Sequence, residues 1–253
     1  MHKLAGKRVL VTAGAQGIGL AISEQMIAAG AHLAVHYHSS ADSAQALVAK
    51  AQSQGLSACA IGADLTRQTE AERLLQEIDQ QLGGLDVLIN NAGSLVARKN
   101  LEMVNEEFWR QVLDINLTSC LWVTQAALPR LCRNPQSSIV NLASLAGRKG
   151  GHAGSLVYST AKGAILTWTR SLASELGARG VRVNAVAPGL ILGTSFHNTH
   201  TTQASAQATI AGIPLRRAGC AEDVARAVVY LASEYDGFIS GATLDINGGV
   251  YAC

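Results

Sequence analysis

Tyr158 and Lys162 stand four residues apart in the run Tyr158-Ser-Thr-Ala-Lys162. On a helix that spacing puts both side chains on one face. A tyrosine with its ordinary pKa of ~10 is a poor base at neutral pH. An ammonium beside it stabilises the phenolate and lowers that value. Such a pair can pass a proton to or from a substrate oxygen. The motif is short and recurs by chance, so its surroundings must decide what it does. Upstream, the apolar run Ile139-Val-Asn-Leu-Ala-Ser144 ends in a serine. Further upstream, Asn116 interrupts a long helical pattern, where its plain role is a helix–helix hydrogen bond.

A second constellation lies near the N-terminus. The strand-like run at Arg8 leads into Thr12-Ala-Gly-Ala-Gln-Gly-Ile-Gly19, and a helical pattern follows. Strand, glycine-rich turn and helix start together make a phosphate cradle. Gly14 and Gly17 permit a tight turn and close approach to a pyrophosphate, while Gly19 lets the helix pack on the strand. Gln16 and Ile18 lie within the same turn. The helix start adds unpaired N–H groups and the positive end of its dipole.

Both constellations need rigid elements beneath them. Short Val/Ile/Leu runs predict strands over Arg8–Thr12, His32–Tyr37, Ser57–Gly62, Val87–Asn90, Ser138–Ala143, Val181–Ala187 and Thr243–Ile246. Helical patterns lie between them, over Ile18–Ala29, Ser43–Gln54, Thr69–Leu82, Glu106–Leu131, Leu156–Ala178 and Glu222–Ala232. Gly30, Gly55 and Gly83 stand where helices should end. Strand–helix alternation without a linker or repeat predicts one α/β domain over 1–253, with a doubly wound parallel sheet and helices on both faces. Ligands of such sheets bind beyond the carboxyl ends of the strands.

Bulk properties exclude other classes. Of 253 residues, 48% are hydrophobic and 15% charged, enough apolar material for a large core. Net charge is +2 with no basic stripe, so no nucleic-acid partner is expected. No apolar run reaches the roughly 18 residues that span a bilayer. No apolar signal core follows the first lysines, so the sequence reads as a soluble cytoplasmic protein without a membrane partner. The five cysteines are scattered without a C-x-x-C pair and read as reduced thiols. Asn116-Leu-Thr118 matches a glycosylation sequon by chance. His36 and His38 share a strand face but have no acidic or cysteine partner nearby, and His197 and His200 lie on a polar stretch. No metal is expected.

Taken in chain order, the motifs resemble those of the short-chain dehydrogenase/reductase family, particularly its 3-oxoacyl-acyl-carrier-protein-reductase-like members. The glycine turn is similar to the family's T-G-x-x-x-G-x-G, with Ala13 at the first glycine. Asn90-Asn-Ala-Gly93 resembles N-N-A-G, and Val186-Ala-Pro-Gly-Leu-Ile191 resembles the P-G segment that seats a nicotinamide. The resemblance covers Thr12 to Gly249. It implies a Rossmann-type fold and a catalytic set of Asn116, Ser144, Tyr158 and Lys162. Ser144 would hold the substrate carbonyl against Tyr158, Lys162 would bind the ribose hydroxyls, and a buried Asn116 would kink its helix and hold a water leading to Lys162. Ser144 precedes Tyr158 by fourteen residues, one more than usual, which the glycine-rich loop between them can absorb.

The resemblance also assigns cofactor contacts. The glycine turn would take the phosphates, and Asp64 and Leu65 the adenine, with a turn at the helix start as the alternative for Asp64. Asn90 would brace the sheet while Asn91, Ala92 and Gly93 line the cofactor. Pro188, Gly189, Ile191 and Thr194 would contact the nicotinamide half. Tyr37 stands where NAD-preferring relatives carry a carboxylate, and Tyr37, His38, Ser39 and Ser40 could donate hydrogen bonds to a 2′-phosphate. The absence of the carboxylate favours NADP(H), with NAD(H) open, although Ser39 and Gln16 replace arginines common in NADP enzymes. The implied activity is reversible hydride transfer between a nicotinamide and a carbonyl or secondary alcohol. Substrates in view are a small ketone, a 3-oxoacyl thioester, or a sugar or polyol. A cofactor-binding regulator without activity is the reading from another class. Residues 194–213 would form a lid, with His197, Asn198 and His200 as hydroxyl-binding candidates. Arg148 and Lys149 would meet an acidic substrate or simply face solvent. The last strand implies a homotetramer.

Overall fold

The computed structural model describes residues 4–194, 199, 202–233 and 237–252. Its strands are β1 (Arg8–Val11), β2 (His32–Tyr37), β3 (Ala58–Gly62), β4 (Val87–Asn90), β5 (Ser137–Leu142), β6 (Val181–Pro188) and β7 (Thr243–Ile246). They form one sheet in the order β3-β2-β1-β4-β5-β6-β7, and every pairing is parallel. The chain winds outward from β1 to β3, then returns to place β4 beside β1. That reversal opens a crevice above the carboxyl ends of β1 and β4, where ligands of such sheets bind.

Alternate residues of the strands feed two apolar layers, as the period of a strand requires. Val9, Val11 and Val140 face Ile22, Met26 and Ile27 of α1 (Gly17–Ala28) and Val224 and Val228 of α9 (Ala221–Ala232). Leu10, Leu88 and Ile139 face the opposite layer. There lie α3 (Gln68–Leu82), α5 (Ser119–Leu131) and α7 (Leu156–Leu176). In α3 the buried residues Ala71, Leu74, Leu75 and Ile78 follow the helical repeat, and Gly83 ends the helix in the left-handed region at φ 75°. Burying each such large side chain contributes about 1.5–3 kcal/mol. α2 (Ala41–Ser53) covers the β2–β3 end of the sheet.

Three elements depart from the sequence expectation. The single helix over 106–131 is α4 (Glu106–Leu113), a π-helical turn (Asp114–Thr118) and α5. A short helix, α6 (Leu145–Lys149), follows β5 where a glycine-rich loop was expected. Another helix, α8 (Gln203–Ala211), lies inside the expected lid. His197, Asn198 and His200 lie outside the described residues.

Candidate active site

Ser144 lies two residues beyond β5 and caps α6, its hydroxyl accepting from Ala146 N at 3.1 Å. Tyr158 and Lys162 project from the first two turns of α7. The Ser144 and Tyr158 hydroxyls are hydrogen-bonded, so the fourteen-residue spacing is absorbed. Lys162 is buried and donates to the Leu142 carbonyl at 2.7 Å, with its ammonium 5.8 Å from the Tyr158 ring centre. Burial pushes the Tyr158 phenol up to about 12, against the lowering pull of Ser144. Burial likewise lowers Lys162 to about 8. The phenol is thus not lowered by the ammonium, in contrast to the expectation from spacing. Here the ammonium is spent on a backbone carbonyl, and desolvation dominates both groups.

Asn116 sits in the π-helical turn. Its amide donates to Ser94 O at 2.7 Å and Val112 O at 2.8 Å, and its Oδ1 accepts from Ser94 N at 3.1 Å. The buried asparagine therefore ties the loop after β4 to a distorted helix. The bond expected between helices is one between helix and loop. A Cβ built on Gly93 would stand 2.7 Å from Asn116 Oδ1 and 3.0 Å from Lys162 Nζ. Glycine is needed there for loop, asparagine and lysine to meet.

The glycine turn is held from three sides. Thr12 Oγ1 accepts from Asn91 N and Ala92 N, both at 2.9 Å. Asn91 Nδ2 donates to Thr12 O at 2.9 Å and Ala13 O at 3.1 Å. Buried His36 accepts from Ala13 N at 3.0 Å through Nδ1, while Nε2 lies 3.0 Å from Ala63 O. Nε2 must then carry the proton. Ala13 adopts φ 48°, the left-handed region that its glycine counterpart enters without strain. A Cβ on Gly19 would fall 2.1 Å from Ala13 O. No side chain caps α1, so its first N–H groups are left for an anion.

A cleft of about 450 Å³ joins these parts. Gln16, Gly17, Ile18, Gly19, Asn91 and Gly93 line one end. Ser144, Tyr158, Lys162, Pro188, Gly189, Ile191 and Thr194 line the rest. Thr194 is buried, donates to Ile191 O at 3.2 Å, and its Cβ would lie 3.5 Å from a Cβ on Gly17. Gly14 and Ala92 support the turn from behind. Asn90 braces the sheet as expected, donating to Thr124 at 3.0 Å and Asn141 at 2.9 Å.

Tyr37, His38, Ser39, Asp64 and Leu65 lie at the ends of β2 and β3, beyond the walls of this cleft. Tyr37 rests over Gly62, and His38 and Ser39 are exposed. Asp64 accepts from Thr66 Oγ1 at 2.7 Å and Thr66 N at 3.1 Å, which holds its carboxyl below the ordinary range. Leu65 is buried, so only its backbone can meet a ligand. The uncapped start of α1, the ends of β2 and β3 and the Tyr158 end all lie at the carboxyl side of the sheet.

Sequence reasoning weighed His36 only as a metal ligand and passed over Thr12. A polar residue inside the buried run His32-Leu-Ala-Val-His-Tyr37 must find partners, and that was the available signal. No metal-binding cluster occurs among the described residues. Arg148 is held by Asp245 through two bonds of 3.1 Å and is not offered to the cleft.

A family model described as enoyl-(acyl carrier protein) reductase matches residues 12–251. The 3-oxoacyl-(acyl-carrier-protein) reductase FabG of Staphylococcus aureus is 37% identical over 246 residues, covering 97% of this chain and 98% of the relative. The FabG of Haemophilus influenzae is 35% identical over 249 residues, covering 98% and 99%. A short chain dehydrogenase from Burkholderia cenocepacia, solved with NADP, superimposes with a TM-score of 0.92 at 34% identity, covering 99% and 100%. An NADH-dependent reductase responsible for alginate metabolism superimposes with a TM-score of 0.90 at 32% identity, covering 99% of each chain. Its complex with NAD gives 0.87 at 32%, covering 99% and 98%.

Proposed function

The chain belongs to the short-chain dehydrogenase/reductase family, and from that premise we propose that its cleft reduces a ketone with NADPH. It is an NAD(P)-dependent oxidoreductase. One observation carries the catalytic assignment: the Ser144 and Tyr158 hydroxyls meet within the cleft, beside a buried lysine. A bound nicotinamide supplies the hydride. Ser144 donates a hydrogen bond to the substrate oxygen and holds it at Tyr158. A phenol pushed up to about 12 keeps its proton at neutral pH and yields it to the more basic oxygen that develops during reduction. Lys162, lowered to about 8, is still mainly an ammonium at neutral pH, and can donate to the hydroxyls of a neighbouring ribose. Asn116 fixes the loop that carries Gly93 and so the place of Lys162.

NADPH is preferred because no carboxylate ends β2. His38 lies near enough to Asp64 to help depress its carboxyl, which sets a donor beside the adenosine ledge. Asp64 and Leu65 receive the adenine, and the start of α1 with Thr194 receives the pyrophosphate. Ser205 and Thr209 of α8 line the cleft and make that helix part of a lid. The names of the FabG relatives favour a second reading, a 3-oxoacyl thioester as substrate. The assembly is a homotetramer, supported by the exposed Phe238 and the half-buried edge strand β7. The cytoplasm suits its free thiols Cys59, Cys120, Cys132 and Cys220.

The test is initial-rate oxidation of NADPH with a 3-oxoacyl thioester and a panel of small ketones. Turnover should fall at least about a thousandfold in Tyr158→Phe, with NADPH binding kept. Near-normal turnover in that variant would remove Tyr158 from the mechanism. A large preference for NADH would reverse the cofactor assignment.

A further inference from the structure

We propose that the outer part of the cleft is an anion subsite, formed by Arg98, Lys149 and His152, which selects carbonyl substrates carrying a carboxylate or phosphate. The proposal rests on the reductase reading and names the substrate class. Among the described residues lining the cleft, Arg98, Lys149, His152 and Lys162 are basic and none is acidic. Lys162 is buried and engaged with the Leu142 carbonyl. The other three are exposed at the rim.

Backbone bonds hold that rim together. Lys99 N donates to Gly154 O at 2.9 Å, and Arg98 Nη1 donates to Ala153 O at 3.2 Å. A Cβ on Gly154 would fall 2.9 Å from Arg98 Cβ. The loop after β4 and the loop before α7 therefore form one wall, with Arg98 and His152 on it. Lys149 joins them from the end of α6.

Arg148 is paired with Asp245, and Lys99 lies 4.4 Å from the Phe108 ring centre. No acidic partner of Lys149 is found among the described residues. A cleft wall with one sign of charge concentrates substrates of the other. The cofactor's phosphates are not the intended anion, because the glycine turn and Thr194 receive them on different elements. A carboxylate on a small oxo acid and the phosphate of a phosphopantetheine thioester share the required chemistry.

Two matched pairs distinguish those sources: levulinate against methyl levulinate, and acetoacetyl-pantetheine with and without its terminal phosphate. The charged member of at least one pair should have the higher kcat/KM, by about tenfold or more. High salt should shrink that ratio, and Lys149→Glu should invert it. Calorimetric titration of the wild-type protein and Lys149→Glu with levulinate, in the presence of NADP+, reads the subsite without turnover. Binding lost in the variant supports the subsite even if no carbonyl in the panel is reduced, in which case the reductase reading fails alone. Equal kcat/KM within both pairs, or levulinate binding that Lys149→Glu leaves unchanged, would overturn the subsite.

Discussion

His36 works only as a neutral ring. Nδ1 accepts from the Ala13 amide while Nε2–H donates to the Ala63 carbonyl. Burial lowers its pKa from 6.5 to about 4, outweighing the Ala63 bond, which raises it. Below 6.5 the unfolded chain takes up this proton while the folded protein resists it until about 4. The unfolded state then binds more protons, so stability rises with pH across that window and is lost as pH falls through it. The difference is worth about 3 kcal/mol. His36→Asn keeps a donor and an acceptor but removes the titration. Urea unfolding of both proteins between pH 7 and 4 should show the steeper loss in the parent. Parallel pH profiles would mean that the imidazole is not the titrating group. The same residue marks a limit of reading by type and spacing. His36 and His38 look equivalent along the strand, yet one is buried between two loops and the other exposed.

Elements divide into those that carry the site and those that anchor the opposite end of the sheet. Arg8 at the start of β1 forms a paired contact with buried Asp86, just before β4, at 2.9 Å and 2.8 Å. Burial pushes the Asp86 carboxyl up, but the Arg8 and Asn134 bonds override it and hold it at about 2. Asp86→Ala leaves those donors unmatched and should cost about 3 kcal/mol of stability. The contact lies at the amino end of the strands, away from Tyr158. The variant should therefore melt lower while keeping its kcat at low temperature. A kcat reduced in step with the melting temperature would show that the two ends of the sheet are coupled. Strands and most helices were legible because buried parallel strands read as continuous Val/Ile/Leu runs and helices as amphipathic repeats. A kink at the buried Asn116 was legible, but not its π-helical form or the partners of Asn116 Nδ2, Val112 O and, across the fold, Ser94 O.

At the scale of the whole molecule, β7 leaves one side of the sheet open, and Phe238 and Leu215 are exposed apolar residues. Size-exclusion chromatography with light scattering should give about four times the 26.4 kDa chain mass, and Phe238→Glu should shift it towards smaller species. A monomer in the parent protein would refute that assembly. By itself the sequence determined the α/β class, the parallel sheet and the order of the motifs, since these depend on local periodicity and on side-chain chemistry. It also brought Ser144, Tyr158 and Lys162 together through the resemblance, and the fold places their side chains around one cleft. Only the tertiary structure decided how the charges are shared. Lys162 is committed to Leu142, Arg148 to Asp245 and Asp64 to Thr66, whereas Lys149 faces the cleft. Those assignments depend on contacts between residues far apart in the chain and on how much water each group loses on folding, and neither follows from spacing.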